Sequence, residues 1–331
     1  MKPYQLAGIG NAIVDVIARV SDETLAQLEI QKGVMQLIDQ TQAEHLLAQM
    51  PEREQSAGGS VANTLVGASQ LGLRTAFVGR VQDDALGQFC VADTTQAGTD
   101  FVNDPVAQGV LPTSRCLIFV TPDGERSMNT YLGISAELGP EDVNESVLAS
   151  SDWALLEGYL FDKTAGKAAF TKAAQACQST GGRVGITLSD PFCVDRHRND
   201  FQQLVRHQMD YAIGNSAEWL TLYNTQDLTQ ALQQAAQDCD LVVCTRSGDS
   251  VLLLQGRQTI EVPVQTTTPV DATGAGDQFA AGLLTGLALG KPLAQAGAMG
   301  CLAAAEVITH VGARPHSQVR AQMLAAGFLD D

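Results

Sequence analysis

Short apolar runs alternate along the chain with longer stretches in which small and apolar residues return every three or four positions. "YQLAGIG" (4–10), "TAFVGRV" (75–81), "WALLEGYLF" (153–161), "RVGITLSD" (183–190), "YAIGN" (211–215) and "LVVCTRS" (241–247) read as buried strands. "SVANTLVGASQLG" (60–72), "AGKAAFTKAAQACQSTGG" (165–182) and "QFAAGLLTGLALG" (278–290) read as helices. The alternation predicts βαβ units and a mostly parallel sheet covered on both faces, in one large α/β domain or two smaller ones. Two stretches break the rhythm. "GVMQLID" (33–39) and "TSRCLIFVTPDGERSMNTYLG" (113–133) look like antiparallel strands turning at Pro122-Asp123-Gly124. These inserted strands are expected to form a small β lid over a ligand site.

Composition narrows the partners. Of 331 residues, 20 are basic and 37 acidic, a net charge of −17 that argues against a nucleic-acid or anionic-membrane surface. A small-molecule ligand is expected, and a phosphorylated one needs a local site built from helix N-termini, a few basic side chains or a metal. The seven cysteines (90, 116, 177, 193, 239, 244 and 301) form no C-x-x-C pair and read as reduced core residues of a cytoplasmic protein. The opening "MKPYQLAGIGNAIVDVIARV" lacks the basic n-region and unbroken apolar run of a signal peptide, because Asn11 and Asp15 interrupt it. A monomer or homodimer is expected.

The polar and Gly-rich clusters follow the apolar strands, where open parallel sheets hold their ligands. In "DATGAGD" (271–277), Gly274, Ala275 and Gly276 open the buried helix that follows. Free N–H groups and the positive end of the helix dipole make that turn suited to a phosphoryl group. The spacing and lysine of a Walker A loop are missing. A carboxylate is an odd neighbour for phosphate, but Asp277 has a use there if it takes the proton of the attacking group. A capping aspartate fits the same residues. Gly58 and Gly59, with Ser60 and Asn63, let backbone approach a polar ligand, or form a plain turn with Ser60 as N-cap. Asp15, four residues after Asn11, offers two oxygens to a vicinal diol, or is a solvated strand-end carboxylate. Asn215 and Glu218 face one side of a helix start; they suit waters around Mg²⁺ or an ordinary capping box. His310 and His316 show no metal-ligand spacing, so no metal is assigned to protein ligands.

Taken in order, "GGSxxN", "NxxE", "TRSG" and "DATGAGD" resemble the ribokinase-like (PfkB) carbohydrate and nucleoside kinase family over nearly the whole chain. The family usually reads "DTTGAGD"; here Ala272 replaces the first Thr while Asp271, Thr273 and the GAGD core match. "GIGNAIVDVIARV", "AGGSVANT", "PTSRC", "TLSDPF" and "MDYAIGNSAEW" are similar to the adenosine kinase branch, except that Asp190 stands where that branch more often has a small residue. The same pattern occurs in proteins described only as sugar kinases.

The resemblance implies a single doubly wound α/β domain over 1–331 with a discontinuous β lid from roughly 11–20, 33–39 and 111–133. It implies ATP-dependent phosphorylation of a primary hydroxyl, that of adenosine first, a sugar second; a catalytically silent nucleoside-binding protein is a third reading, from a different class. It implies Asp277 as base and the N–H groups of Ala275, Gly276 and Asp277, beyond Gly274, as the anion cradle. Asp15, with Asn11, Gly58, Gly59 and Asn63, would bind the acceptor, and Met35, Leu37, Cys116 and Ile118 would cover it. Thr245, Ser247 and Gly248 would approach the ATP phosphates and ribose, and the segment Ala303 to Gly312, including His310, would flank the adenine. Asn215 and Glu218 would order Mg²⁺ through water.

Overall fold

The computed structural model describes residues 2–107, 111–316 and 318–330. Its strands in chain order are β1 (Tyr4–Ile9), β2 (Ile13–Arg19), β3 (Met35–Leu37), β4 (Arg53–Gly58), β5 (Thr75–Val78), β6 (Thr99–Phe101), β7 (Ser114–Val120), β8 (Arg126–Tyr131), β9 (Ser151–Glu157), β10 (Arg183–Thr187), β11 (Tyr211–Asn215), β12 (Leu241–Thr245), β13 (Val251–Gln255) and β14 (Gln258–Val262). Nine of them form one sheet in the order β14-β13-β12-β11-β10-β9-β1-β5-β6. From β6 to β12 every pairing is parallel; β13 and β14 turn back as an antiparallel edge.

Alternation along each central strand feeds two cores, because successive side chains point to opposite faces. Ala7 and Ile9, Ala154 and Leu156, Val242 and Cys244 join Phe170, Phe201 and Trp219 on one face. Leu6, Leu155, Leu241 and Val243 join Phe77, Tyr211 and Phe279 on the other. Each such fully buried large side chain contributes about 1.5–3 kcal/mol relative to exposure. Trp219 also satisfies its one polar group, donating Nε1–H to the carbonyl of Val243 at 3.0 Å. Doubly covered strands have no polar face to show, which is why all six central strands read as apolar runs.

A second sheet of five strands, β3-β8-β7-β2-β4, collects segments scattered through the first 131 residues. β7 and β8 are an antiparallel hairpin, closed at 121–125 by Thr121 N–H to Glu125 O, 3.0 Å, and Gly124 N–H to Thr121 O, 2.8 Å. Two features differ from the sequence expectation. β3 lies parallel to β8, since the long intervening path, and no tight turn, sets its direction. β4, "REQSAG", carries too little apolar character to stand out; it is an edge strand whose first three residues are exposed.

Candidate active site

β4 runs into the helix Ser60–Gln70 with only Gly59 between them. Gly59 has φ +110°, and a Cβ there would lie 2.1 Å from the carbonyl oxygen of Asn11, so the junction requires glycine. The first turn of that helix reaches across to a second. Ser60 Oγ donates to Asp277 Oδ1 at 2.6 Å, Asn63 Nδ2 to Asp277 Oδ2 at 3.2 Å, and Thr64 Oγ1 to the Asp277 carbonyl at 3.1 Å.

Asp277 sits in the first turn of the helix Ala275–Ala288. Gly274, at φ +78°, starts that helix; a Cβ on it would meet the Ala313 carbonyl oxygen at 2.5 Å. The Ala275 N–H is occupied by the carbonyl of Ala272 at 3.2 Å. The N–H groups of Gly276 and Asp277 have no acceptor among the described residues, as a helix start leaves them. Asp277 is partly buried, and its carboxyl is pushed up to about 6 by desolvation, against the hydrogen bonds of Ser60 and Asn63. A carboxyl ionised at neutral pH yet easily protonated is suited to taking a proton from an attacking hydroxyl.

Ser60, Gly276 and Asp277 form one wall of a cleft of about 310 Å³. The facing wall comes from the carboxyl ends of β10, β11 and β12, with Thr187, Asn215, Glu218 and Thr245, and from Tyr159 beyond β9. Asn215 and Glu218 cap the helix Ser216–Leu222 reciprocally: Asn215 Oδ1 accepts from the Glu218 N–H at 3.0 Å and Glu218 Oε2 from the Asn215 N–H at 2.9 Å. Burial pushes the Glu218 carboxyl up to about 7. The two sequence readings of this pair are compatible, since a capping carboxylate that lines the cleft keeps lone pairs for water.

The small sheet brings a second carboxylate near. Asp15 lies in register with Cys116, Thr130 and Leu37 across four strands, and Ile17 with Ile118, Met128 and Met35 in the next row. The expected Met35, Leu37, Cys116 and Ile118 thus share the face that carries Asp15. Met35 and Leu37 are exposed; Cys116 and Ile118 are buried. Gly58 abuts the Asp15 carboxylate, 2.8 Å from where its Cβ would be. Burial raises Asp15 to about 6, the nearby charges of Arg126 and Arg314 oppose that rise, and Asp277 adds to it.

Two expected residues are placed elsewhere. Asn11 is 2% exposed and its amide is consumed inside the protein, Nδ2 donating to Glu157 Oε1 at 2.7 Å and Oδ1 accepting from Ser135 at 2.8 Å, so it faces no ligand. Ala303, 1% exposed, packs in the core with Leu71, Met299 and Met323 and cannot flank a base. Ser247, at φ +54°, and Gly248 follow Thr245 in the turn beyond β12. Gly312 donates its N–H to Asp271 Oδ2 at 3.0 Å, and the His310 ring stacks on that of His316. Asp190 is a helix cap, its Oδ1 accepting from Phe192 and Cys193 N–H at 2.8 and 3.0 Å.

Three residues, Glu157, Arg126 and Arg314, are added to those read from the sequence, and a fourth, Ser60, has a different part from the cap expected of it. Ser60 grips Asp277 instead of capping its own helix. Glu157, buried at the end of β9, accepts from the Asn11 N–H at 3.1 Å and the Val61 N–H at 3.0 Å, and burial pushes its carboxyl up to about 7. A carboxylate closing the apolar run "WALLE" was the available signal. Arg126 of β8 pairs with Asp271 and donates to Thr273 Oγ1 at 3.2 Å. Arg314 pairs with Asp93 at 2.6 Å beside Asn63. Single arginines 145 and 221 residues from their partners leave no local pattern.

The chain matches the pfkB family carbohydrate kinase profile over residues 30–320. It is similar to the solved structure of a probable sugar kinase from Rhizobium etli CFN 42, with TM-score 0.91 and 40% identity, covering 99% of this chain and 100% of that one. It is equally similar to adenosine kinase from Sinorhizobium meliloti, with TM-score 0.89 and 42% identity, covering 98% and 99%. Adenosine kinase of Saccharomyces cerevisiae is 27% identical, with 93% of this chain and 95% of that protein covered. With a ribokinase-like fold, a carboxylate at a helix start and a full-length match, the chain belongs to the pfkB family and is a phosphotransferase with an alcohol group as acceptor.

Proposed function

We propose that the protein transfers the γ-phosphoryl group of ATP to the 5′-hydroxyl of adenosine, giving AMP and ADP. The observation that carries the reading is Asp277, held by Ser60 and Asn63 at a helix start whose N–H groups face the same cleft. As the hydroxyl oxygen bonds to the γ-phosphorus, its proton passes to Asp277 and the bond to the β-phosphate oxygen breaks. The N–H groups of Gly276 and Asp277, with the helix dipole, stabilise charge on the transferring group. Asp15 accepts from the ribose diol beside Gly58, Gly59 and Asn63, and the small sheet covers the base with Met35, Leu37, Cys116 and Ile118. Thr245, Ser247 and Gly248 approach the ATP phosphates, and the segment near His310 and Gly312 flanks its adenine.

Mg²⁺ fits the Asn215–Glu218 wall as an ion held through its waters, because both Glu218 oxygens already accept from Asn215 and retain lone pairs for water. When bound, it neutralises charge on the phosphates.

A sugar acceptor is the second reading, favoured by the 40% identity to the probable sugar kinase. The deciding experiment is ATP consumption with adenosine, inosine, ribose, fructose and 2-keto-3-deoxygluconate in parallel. Turnover on adenosine alone supports the first reading; turnover on a sugar alone replaces it.

A further inference from the structure

The loop following the helix Leu293–Val307 folds back on it and brings together three side chains that the kinase reaction does not use as a group. Glu306, His310 and His316 have ligand atoms that all lie within 4.8 Å of one another. Glu306 is buried, its side chain 5% exposed, and its Oε2 has no hydrogen-bond partner. His310 Nδ1 lies 3.3 Å from the carbonyl of Val311, a contact that puts the proton on Nδ1 and leaves the Nε2 lone pair free. That Nε2 faces Glu306 Oε1 at 3.4 Å and has no hydrogen-bond partner.

Two acceptors facing each other repel unless a cation lies between them. A shared proton would draw charged N–H···O to about 2.7–2.9 Å. Two ligand atoms on one tetrahedral zinc, each about 2.0–2.1 Å from it, stand roughly 3.3–3.4 Å apart. The His310–Glu306 separation of 3.4 Å matches the second case. His316 lies with its ring centroid 3.5 Å from that of His310 and the planes 9° apart. Its side chain is exposed, so it can tilt about its own bonds to aim a nitrogen at the same point. Two imidazoles and a carboxylate suit zinc and its transition-metal neighbours, whereas Mg²⁺ takes oxygen.

We propose that Glu306, His310 and His316 bind one divalent transition ion of the zinc class, with solvent completing its shell on the exposed side. The ion ties the loop to the helix end. The same loop donates the Gly312 N–H to Asp271, packs Ala313 against Gly274 and pairs Arg314 with Asp93. Metal occupancy therefore rigidifies the backbone that packs against the phosphoryl turn, in the segment that the proposed function sets beside the adenine of ATP.

The test is Co²⁺ and Zn²⁺ titration of the full-length protein beside His316→Ala, His310→Ala and Glu306→Gln. Expected are one equivalent of Co²⁺ with visible d–d bands, no thiolate charge-transfer band, and displacement by Zn²⁺. Each substitution should weaken binding by roughly tenfold or more, at least what loss of an outer-shell partner costs. Zn²⁺ should slow amide exchange across 308–316 in the wild type and leave it unchanged in His316→Ala, an exposed substitution that spares the core. Wild-type binding no tighter than in the variants, or a thiolate-type spectrum that all three retain, overturns the proposal.

Discussion

Arg126 of the small sheet pairs with Asp271, the first residue of the turn whose last residue is Asp277. Both side chains are largely buried, at 12% and 7% exposed, and Asp271 also accepts from Thr273 and Gly312. Arg126→Met should lower stability by about 1–3 kcal/mol, less than the 3–5 of a fully buried pair, because those other donors still satisfy Asp271. Urea unfolding measures it; a variant as stable as wild type would show that the pair contributes nothing.

Asp277→Asn should keep the fold and lower turnover by roughly 10²- to 10⁴-fold, the usual worth of a positioned base. Initial rates with saturating ATP and acceptor decide it, and near-normal turnover removes Asp277 from the role of base.

Protonation gives an independent reading. The base must be ionised, and burial has raised Asp277 from 3.8 to about 6, so kcat/KM should fall about tenfold per unit as pH drops below about 6. Stability runs the other way. Asp15, Asp277, Glu157 and Glu218 hold protons more tightly folded than unfolded. The stability they contribute is present below about pH 4 and lost as pH rises through 6 to 7. Glu157→Gln should flatten the slope of Tm against pH in that window; an unaltered slope would mean that Glu157 ionises as in the unfolded chain.

The diol assignment predicts that 2′-deoxyadenosine is a poorer substrate than adenosine, since a carboxylate oxygen left unpaired costs about 1–3 kcal/mol. Asp15→Ala should erase most of the difference in kcat/KM. Equal discrimination by both proteins places Asp15 elsewhere.

Glycine substitutions separate backbone geometry from chemistry. Gly274→Ala should destabilise strongly, because the residue has φ +78° and its Cβ would strike Ala313. At Gly276 a Cβ meets nothing within 4 Å, so Gly276→Ala should fold normally and lose activity by crowding the phosphoryl group. Thermal melts beside rate measurements distinguish the two, and full activity in Gly276→Ala would move the transferring group away from this turn.

The six central strands and the GAGD helix were readable because burial on both faces leaves unbroken apolar runs and a 3.6-residue period. β4 was not, because an exposed edge strand selects for charge over apolar character, as "REQ" does. The two helix starts that bring Asp277 and Gly274 against Gly59 and Asn63 were legible from turn chemistry. Glu157 and Arg126 were not, since their roles depend on partners brought in from distant strands. Asn11 misled for the same reason: a polar residue after a strand looks ligand-facing until Glu157 and Ser135 are seen to consume it.

The junction at Gly59 has a mechanical consequence. β4 belongs to the small sheet, Ser60 and Asn63 hold Asp277, and a single residue separates them. No slack loop lies between cover and base, so a swing of the small sheet onto an acceptor also moves the two groups that aim the carboxylate. Covering the acceptor and aiming the base then become one displacement.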